Sequence, residues 1–196
     1  MNPDPDAELM VRLLAGDDAA LNQLIDRWQK PLASFILRYV GNEADSIELA
    51  QETFVRLYHN RSRFNFKSKF STWLFTIAAN LARNHVRWNK AHPTVPLQNA
   101  NGVDDTSDDF CIPIERTPSA LVERAEISEL VRVAIQTLPH DLKPAILLYE
   151  YEDLSYDIIA GILGCSPKAV ETRLYRARKL LRKKLDSIYL TDKEHP

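Results

Sequence analysis

Eight Lys or Arg fall between Gly161 and Leu185, in a chain whose formal net charge is only −2. They follow a Gly-Cys-Ser-Pro turn. Cations repeated along one helix face suit a polyanion, because each can neutralise a phosphate and release its counterion. A second segment, 61–92, carries seven basic side chains and no acidic one. It interleaves Phe64, Phe66, Phe70, Trp73 and Phe75 with Lys67, Ser68, Lys69, Ser71 and Thr72. An aromatic wall beside hydrogen-bonding groups is what a nucleobase needs once it leaves its stack. Stacking on an aromatic is worth ~1–3 kcal/mol per base, comparable with the few kcal/mol that unstacking costs. Trp73 and Phe75 are expected to face the core, with about half of the other aromatics. Beyond them Asn80, Arg83, Asn84 and Arg87 recur at i, i+3, i+4, i+7 and share a helix face.

The remaining charge is arranged in blocks. Residues 1–60 are net −5, 93–129 net −6, 130–164 net −3 and 165–196 net +5. Two basic segments separated by acidic ones point to two separate contacts with a polyanion. A further charged set, Asp45, Glu48, Gln51 and Glu52, lies opposite an apolar Ile47, Ala50, Phe54 stripe. An acidic side repels DNA and suits basic side chains of a protein.

The elements that must position these groups are helical. Leu9, Met10, Leu13 and Leu14 mark a first helix, ended by Ala-Gly-Asp-Asp. Leu21 to Tyr39 forms a long apolar stripe that Pro31 is expected to bend or split. Asn42 is placed to cap the next helix, with Ile47, Ala50, Phe54, Leu57 and Tyr58 as its inner side. The stretch 59–71 has no clear period and reads as a loop. A helix then resumes at Ser71 or Thr72, with Leu74, Ile77, Ala78 and Leu81 inward.

From His92 to Pro118 the periodicity is lost among four Pro and the acidic Asp104, Asp105, Asp108 and Asp109, so this stretch reads as a flexible linker. A helix over Leu121–Ile135 follows, then three shorter ones near 141–151, 155–163 and 167–186. Ser155 can cap the second of these, and Gly164 can end it in the left-handed conformation. Ser166 and Pro167 suit the cap and first position of the third. Helix, short Gly turn, capped helix is the outline of a helix-turn-helix. In its second helix Val170, Leu174, Ala177 and Leu181 face the core. Lys168, Thr172, Arg173 and Arg176 then point toward base edges and phosphates, with Glu171 near them, and Arg178, Lys179, Arg182, Lys183 and Lys184 extend the positive face. The fold class expected is all-α: two small helical domains, 1–92 and 119–190, joined by linker 93–118, with 191–196 as a tail.

The motifs, taken together, resemble an RNA polymerase sigma factor of the extracytoplasmic-function type. "LSYDIIAGILGCSPKAVETRLYRARKLLRKKL" is similar to region 4, "ADSIELAQETFVRLYHN" to region 2.2, and "RFNFKSKFSTWLFTIAANLARNHVR" to regions 2.3 and 2.4. The resemblance implies upstream (−35) promoter contacts by Ser166, Lys168, Glu171, Thr172, Arg173, Tyr175, Arg176 and Lys179. It implies downstream (−10) reading and melting by Phe64, Lys67, Ser68, Lys69, Phe70, Ser71, Thr72, Trp73, Asn80, Arg83, Asn84 and Arg87. Docking on the clamp helices of the largest subunit of core RNA polymerase falls to Asp45, Glu48, Leu49, Gln51, Glu52 and Phe54. Promoter DNA, duplex and single-stranded, and an anti-sigma factor are the further partners implied. The sequence departs from the family pattern at Ile47 and Ile158, where acidic residues are usual, and at Glu48, where Asp is usual.

Other classes fit less well. No Gly-rich phosphate loop, HExxH or nucleophile elbow occurs, and His85 and His92 have no evident third ligand, so neither catalysis, metal nor cofactor is expected. A stand-alone helix-turn-helix regulator would dimerise on a palindrome, and no dimer helix is evident. Two Cys, no basic-apolar leader and no long apolar run lead to the expectation of a cytoplasmic protein without membrane contact of its own. The linker spans about 28 Å on average and about 85 Å at most. It therefore permits contacts more than one duplex turn (~34 Å) apart without fixing their spacing, which requires an external scaffold.

Overall fold

The structure, a computed structural model, describes residues 5–92 and 118–192. Among them every regular element is helical: α1 (Pro5–Leu14), α2 (Asp18–Val40), α3 (Glu43–His59), α4 (Phe70–Ala91), α5 (Pro118–Gln136), α6 (Lys143–Glu150), α7 (Tyr156–Leu163) and α8 (Pro167–Asp192). A single 3-10 turn, Arg61–Arg63, precedes α4. The acidic cluster 104–109 and most of the expected linker lie outside the described residues, as does the end of the tail.

The first half is a bundle of α1–α4. Asp17 caps α2 through its side chain. Asn42 caps α3 by accepting from the amide of Asp45 at 2.9 Å. Pro31 was expected to bend or split the second helix, but α2 runs unbroken through it. Proline removes one backbone bond there, while Leu24, Leu32, Phe35 and Ile36 stay fully buried along the same face, and that packing holds the helix together. Buried Asp6 pins α1 to α2 by accepting from Arg27 and from the Trp28 indole (3.0 Å).

The second half packs α5, α6 and α7 around α8. Gly164 ends α7 at φ 63°. The Ser166 hydroxyl caps α8 by accepting from the amide of Ala169 at 3.2 Å. Ser155 occupies the cap position of α7 without a side-chain bond. Pro118, expected as the last linker residue, opens α5.

The halves also meet each other. α4 packs on α7, and α2 packs on α5 and α6, so one continuous set of buried side chains runs through both.

Candidate nucleic-acid interface

In α8 the core side and the charged side separate cleanly. Val170, Leu174 and Ala177 are buried and Leu181 is half-buried. Ser166, Lys168, Glu171, Thr172, Tyr175, Arg176 and Lys179 are exposed, with Tyr175 at 68% the most open large apolar side chain described. Lys168 and Glu171 form an exposed ion pair at 2.7 Å, so Glu171 restrains a cation of the same face. Arg173 is half-buried and donates to Cys165 Sγ at 3.4 Å, which fixes its guanidinium beside the turn. Arg178 departs from the expected basic face. It turns back to α6, donating twice to Glu150 (2.8 and 3.1 Å) and lying over the Tyr149 ring.

Behind that face, α5, α6 and α8 enclose an apolar groove of about 580 Å³ lined by Val131, Ile135, Ile146, Tyr151, Leu181 and Leu185, with Arg182 at its edge.

In the first half the basic segment divides between core and surface. Phe64 and Phe70 are buried, so neither ring is open to stack on a base. They serve as the platform instead: Phe64 packs edge-on to Phe66 (4.9 Å) and at 5.3 Å from Trp73, and Phe70 lies 6.1 Å from Trp28. Phe75 is buried as expected. Trp73, expected to face the core, is only half-buried and lines a cleft of about 270 Å³ with Ile77, Asn80, Arg56, Asn60 and Arg63. Phe66, Lys67, Ser68 and Lys69, just before α4, are exposed, and Ser71 and Thr72 are half-buried. The cleft thus brings Trp73 beside two arginines and two asparagines. Sequence reading missed Arg56, Asn60, Arg63 and Ile77 because α3, the 3-10 turn and α4 converge only in three dimensions. Farther along α4, Asn80, Asn84 and Arg87 are exposed. Arg83 is half-buried and donates to Asn80 Oδ1 at 3.2 Å.

In α3 the buried side differs from the one its apolar spacing suggests. Leu49 and Phe54 are buried and cannot meet a partner directly. Ile47, read as part of the core stripe, is 50% exposed, and Val55 is 48% exposed. The inner side includes Ser46 and Thr53 instead, whose hydroxyls donate to Glu43 O and Leu49 O within the helix (both 2.7 Å). The outer face is therefore an Ile47–Gln51–Val55 ridge beside Glu48. Glu52 pairs with Arg56 at 2.7 Å, and Asp45 Oδ2 lies 3.0 Å from His85 Nε2, tying α3 to α4.

The fold and its exposed faces define a class: an all-helical protein of two modules, each presenting a basic helix, one of them behind a capped helix-turn-helix. Comparison with known proteins narrows it. Residues 24–91 match the family model for sigma-70 region 2, and residues 128–181 match that for sigma-70 region 4. The chain is 31% identical over 188 residues to the RNA polymerase sigma-H factor of Pseudomonas aeruginosa, covering 96% of this chain and 97% of that one. It is 34% identical over 185 residues to the ECF RNA polymerase sigma-E factor of Haemophilus influenzae, covering 93% and 96%. Among solved structures, CnrH in complex with the cytosolic domain of CnrY superposes with a TM-score of 0.67 at 26% identity, over 93% of this chain and 97% of that one. The sigma factor RpoE bound to the anti-sigma factor NepR, from Bartonella quintana, shares the fold with a TM-score of 0.61 at 22% identity, over 84% and 96%. The chain belongs to the sigma-70 family of RNA polymerase sigma factors, in its extracytoplasmic-function branch. It is a non-catalytic initiation factor that directs RNA polymerase to promoters.

Proposed function

We propose the following division of labour. The cleft around Trp73, with Lys67, Ser68, Lys69, Ser71, Thr72 and the Asn80, Asn84, Arg87 face of α4, captures the downstream promoter element as separated strands. The exposed side of α8, from Ser166 to Lys179, reads the upstream element as duplex. The outer face of α3, Ile47, Glu48, Gln51 and Val55, docks on the clamp helices of the polymerase. The observation that carries this reading is that each of the two family-matched segments exposes one basic helix face. Residues 1–92 and the segment from Pro118 at the start of α5 to 190 are the working domains, and 93–117 the tether between them. Phe64, Phe70, Leu49 and Phe54 act by holding those surfaces in shape.

The chain works where the polymerase is, in the cytoplasm. Among the described residues no helix is long and apolar enough to cross a membrane. RpoE, similar in fold, was solved with an anti-sigma factor bound, and we extend that kind of regulator to this chain. The test is reconstitution with core RNA polymerase on genomic DNA, followed by sequencing of transcript 5′ ends. Start sites sharing two spaced sequence elements support the reading. Initiation no different from that of core enzyme alone overturns it.

A further inference from the structure

The last turn of α4 carries two rings that neither the core nor the Trp73 cleft uses. Trp88 is 58% exposed, whereas Trp28 and Trp73 are half-buried. The His92 ring stacks on Trp88, with centroids 4.9 Å apart and planes 24° from parallel. His92 is itself held in place, because its backbone N–H (2.9 Å) and its Nδ1–H (3.1 Å) both donate to Trp88 O. The indole is thus an apolar surface kept in the open by a fixed neighbour.

Its surroundings suit a polyanion. The C-terminus of a helix concentrates negative charge and repels phosphate. His92 covers one of the carbonyls responsible with two donors. Residues 61–92 contain no acidic side chain, and Asp45, which reaches α4 from α3, is taken up by His85. At about 3.6 residues per turn, Asn80, Asn84, Arg87 and Trp88 lie within about 100° of arc, and all four are exposed. Lys90 falls on another side, where its charge bears on Lys143. Trp88 therefore continues the Asn80, Asn84, Arg87 face.

Asn80 also lines the Trp73 cleft. Trp88 comes eight residues later, about 12 Å along the axis at ~1.5 Å per residue. That length equals about three to four base pairs at ~3.4 Å each. The open aromatics suited to separated strands, Phe66 and Trp73, lie before α4 or in its first turn. The opposite end of α4 is then the paired side, since the upstream element is read as duplex. Paired bases are covered by their neighbours, and the apolar surface they leave to a side chain at the groove edge is deoxyribose.

We infer that Trp88, held by His92, packs against the deoxyribose backbone of the duplex between the two promoter elements, about three to four base pairs from the position that Asn80 meets. Arg87 takes an adjacent phosphate. The inference rests on the division of labour under Proposed function. Trp88 anchors and does not read, because the sugar is the same in every base pair. His92 is a positioning residue.

The experiment is hydroxyl-radical footprinting of the reconstituted holoenzyme on a promoter recovered by sequencing transcript 5′ ends, together with the lifetime of the complex at several salt concentrations. Hydroxyl radicals cut at deoxyribose, so they report this contact directly. The variants are Trp88→Ala, Trp88→Phe, His92→Ala and Arg87→Ala, and circular dichroism checks that each is folded. With Trp88→Ala, protection should be lost only about three to four base pairs from the downstream element, on the side toward the upstream element. The lifetime should fall about three- to tenfold, with its salt dependence unchanged because the indole is uncharged. Arg87→Ala should instead reduce the salt dependence. Trp88→Phe and His92→Ala should keep part of the protection. An unchanged footprint with Trp88→Ala overturns the inference. So does a shorter lifetime without that local loss, or a loss of protection across the whole downstream element. Absence of any recoverable start site overturns the division of labour itself, and the inference with it.

Discussion

α3 and α8 are both amphipathic helices with one charged side, yet only in α8 does sequence phase match the structure. In α8 the inward positions are Val170, Leu174 and Ala177 and the outward ones are mostly long cations. Burying Lys or Arg without a partner costs several kcal/mol, so only one phase is available. In α3 the contrast is weak. Ser46 and Thr53 satisfy their hydroxyls within the helix and bury at little cost, which leaves Ile47 and Val55 outside. Long cations advertise an exposed face through their charge, whereas exposed apolar side chains such as Ile47 and Val55 look like core in the sequence.

The largest effect expected is on the shared aromatics. Phe70→Ala should lower stability by about 3–5 kcal/mol, read as a shifted denaturation midpoint, because Phe70 is fully buried. Phe66→Ala, at a 48% exposed position, should leave the midpoint within about 0.5 kcal/mol. Equal losses from both would erase the distinction drawn between platform and surface.

Next come the reading residues. Arg173→Ala and Arg176→Ala should each weaken recognition of the upstream element by about 1–3 kcal/mol with polymerase binding unchanged, measured by run-off transcription and co-purification. Conversely, Ile47→Asp should reduce co-purification with core enzyme while the isolated chain keeps its denaturation midpoint. Normal co-purification would return α3 to the phase inferred from sequence.

pH sharpens the comparison between the modules. Burial pushes the Glu152 carboxyl up to about 7, against the opposing pull of Arg38. Burial pushes the Lys143 ammonium down to about 8, assisted by Lys90. A carboxyl whose folded pKa is raised contributes stability below its ordinary value of 4.5, and loses it as pH rises through about 7. An ammonium whose pKa is depressed contributes stability above 10.5, and loses it as pH falls through about 8. These two groups together place their weakest contribution between pH 7 and 8. Glu152→Gln should therefore stabilise the chain by about 1–2 kcal/mol at pH 7.5, discounted for partial exposure, and by almost nothing at pH 4.5. Equal gains at both values would remove Glu152 from the account.

The smallest effect expected is at the exposed Lys168–Glu171 pair. Glu171→Gln should change stability by no more than about 1 kcal/mol, while changing which promoter sequences are used if Glu171 faces a base.

Local chemistry made much of the molecule legible in advance. The capping by Asn42 and Ser166 and the left-handed Gly164 are short-range effects, decided by residues within four positions of one another, and the charge blocks are read directly along the chain. The exposed side of α8 lies where its cations and apolar residues predict, except that Arg178 turns to Glu150, 28 positions away, and Arg173 is half-buried against Cys165. The cleft around Trp73 was legible only in part, because its walls come from α3, the 3-10 turn and α4.

What sequence by itself determined, then, was helicity, the helix ends and the two cationic faces, since periodicity and charge act along the chain. Tertiary structure alone decided which aromatics stay open, which side of α3 faces outward, and that the two modules close on each other at the end of α2. Those outcomes depend on which surfaces exclude water together and which carbonyls still need a donor. Residues tens to about a hundred positions apart settle these outcomes, and no local pattern records them.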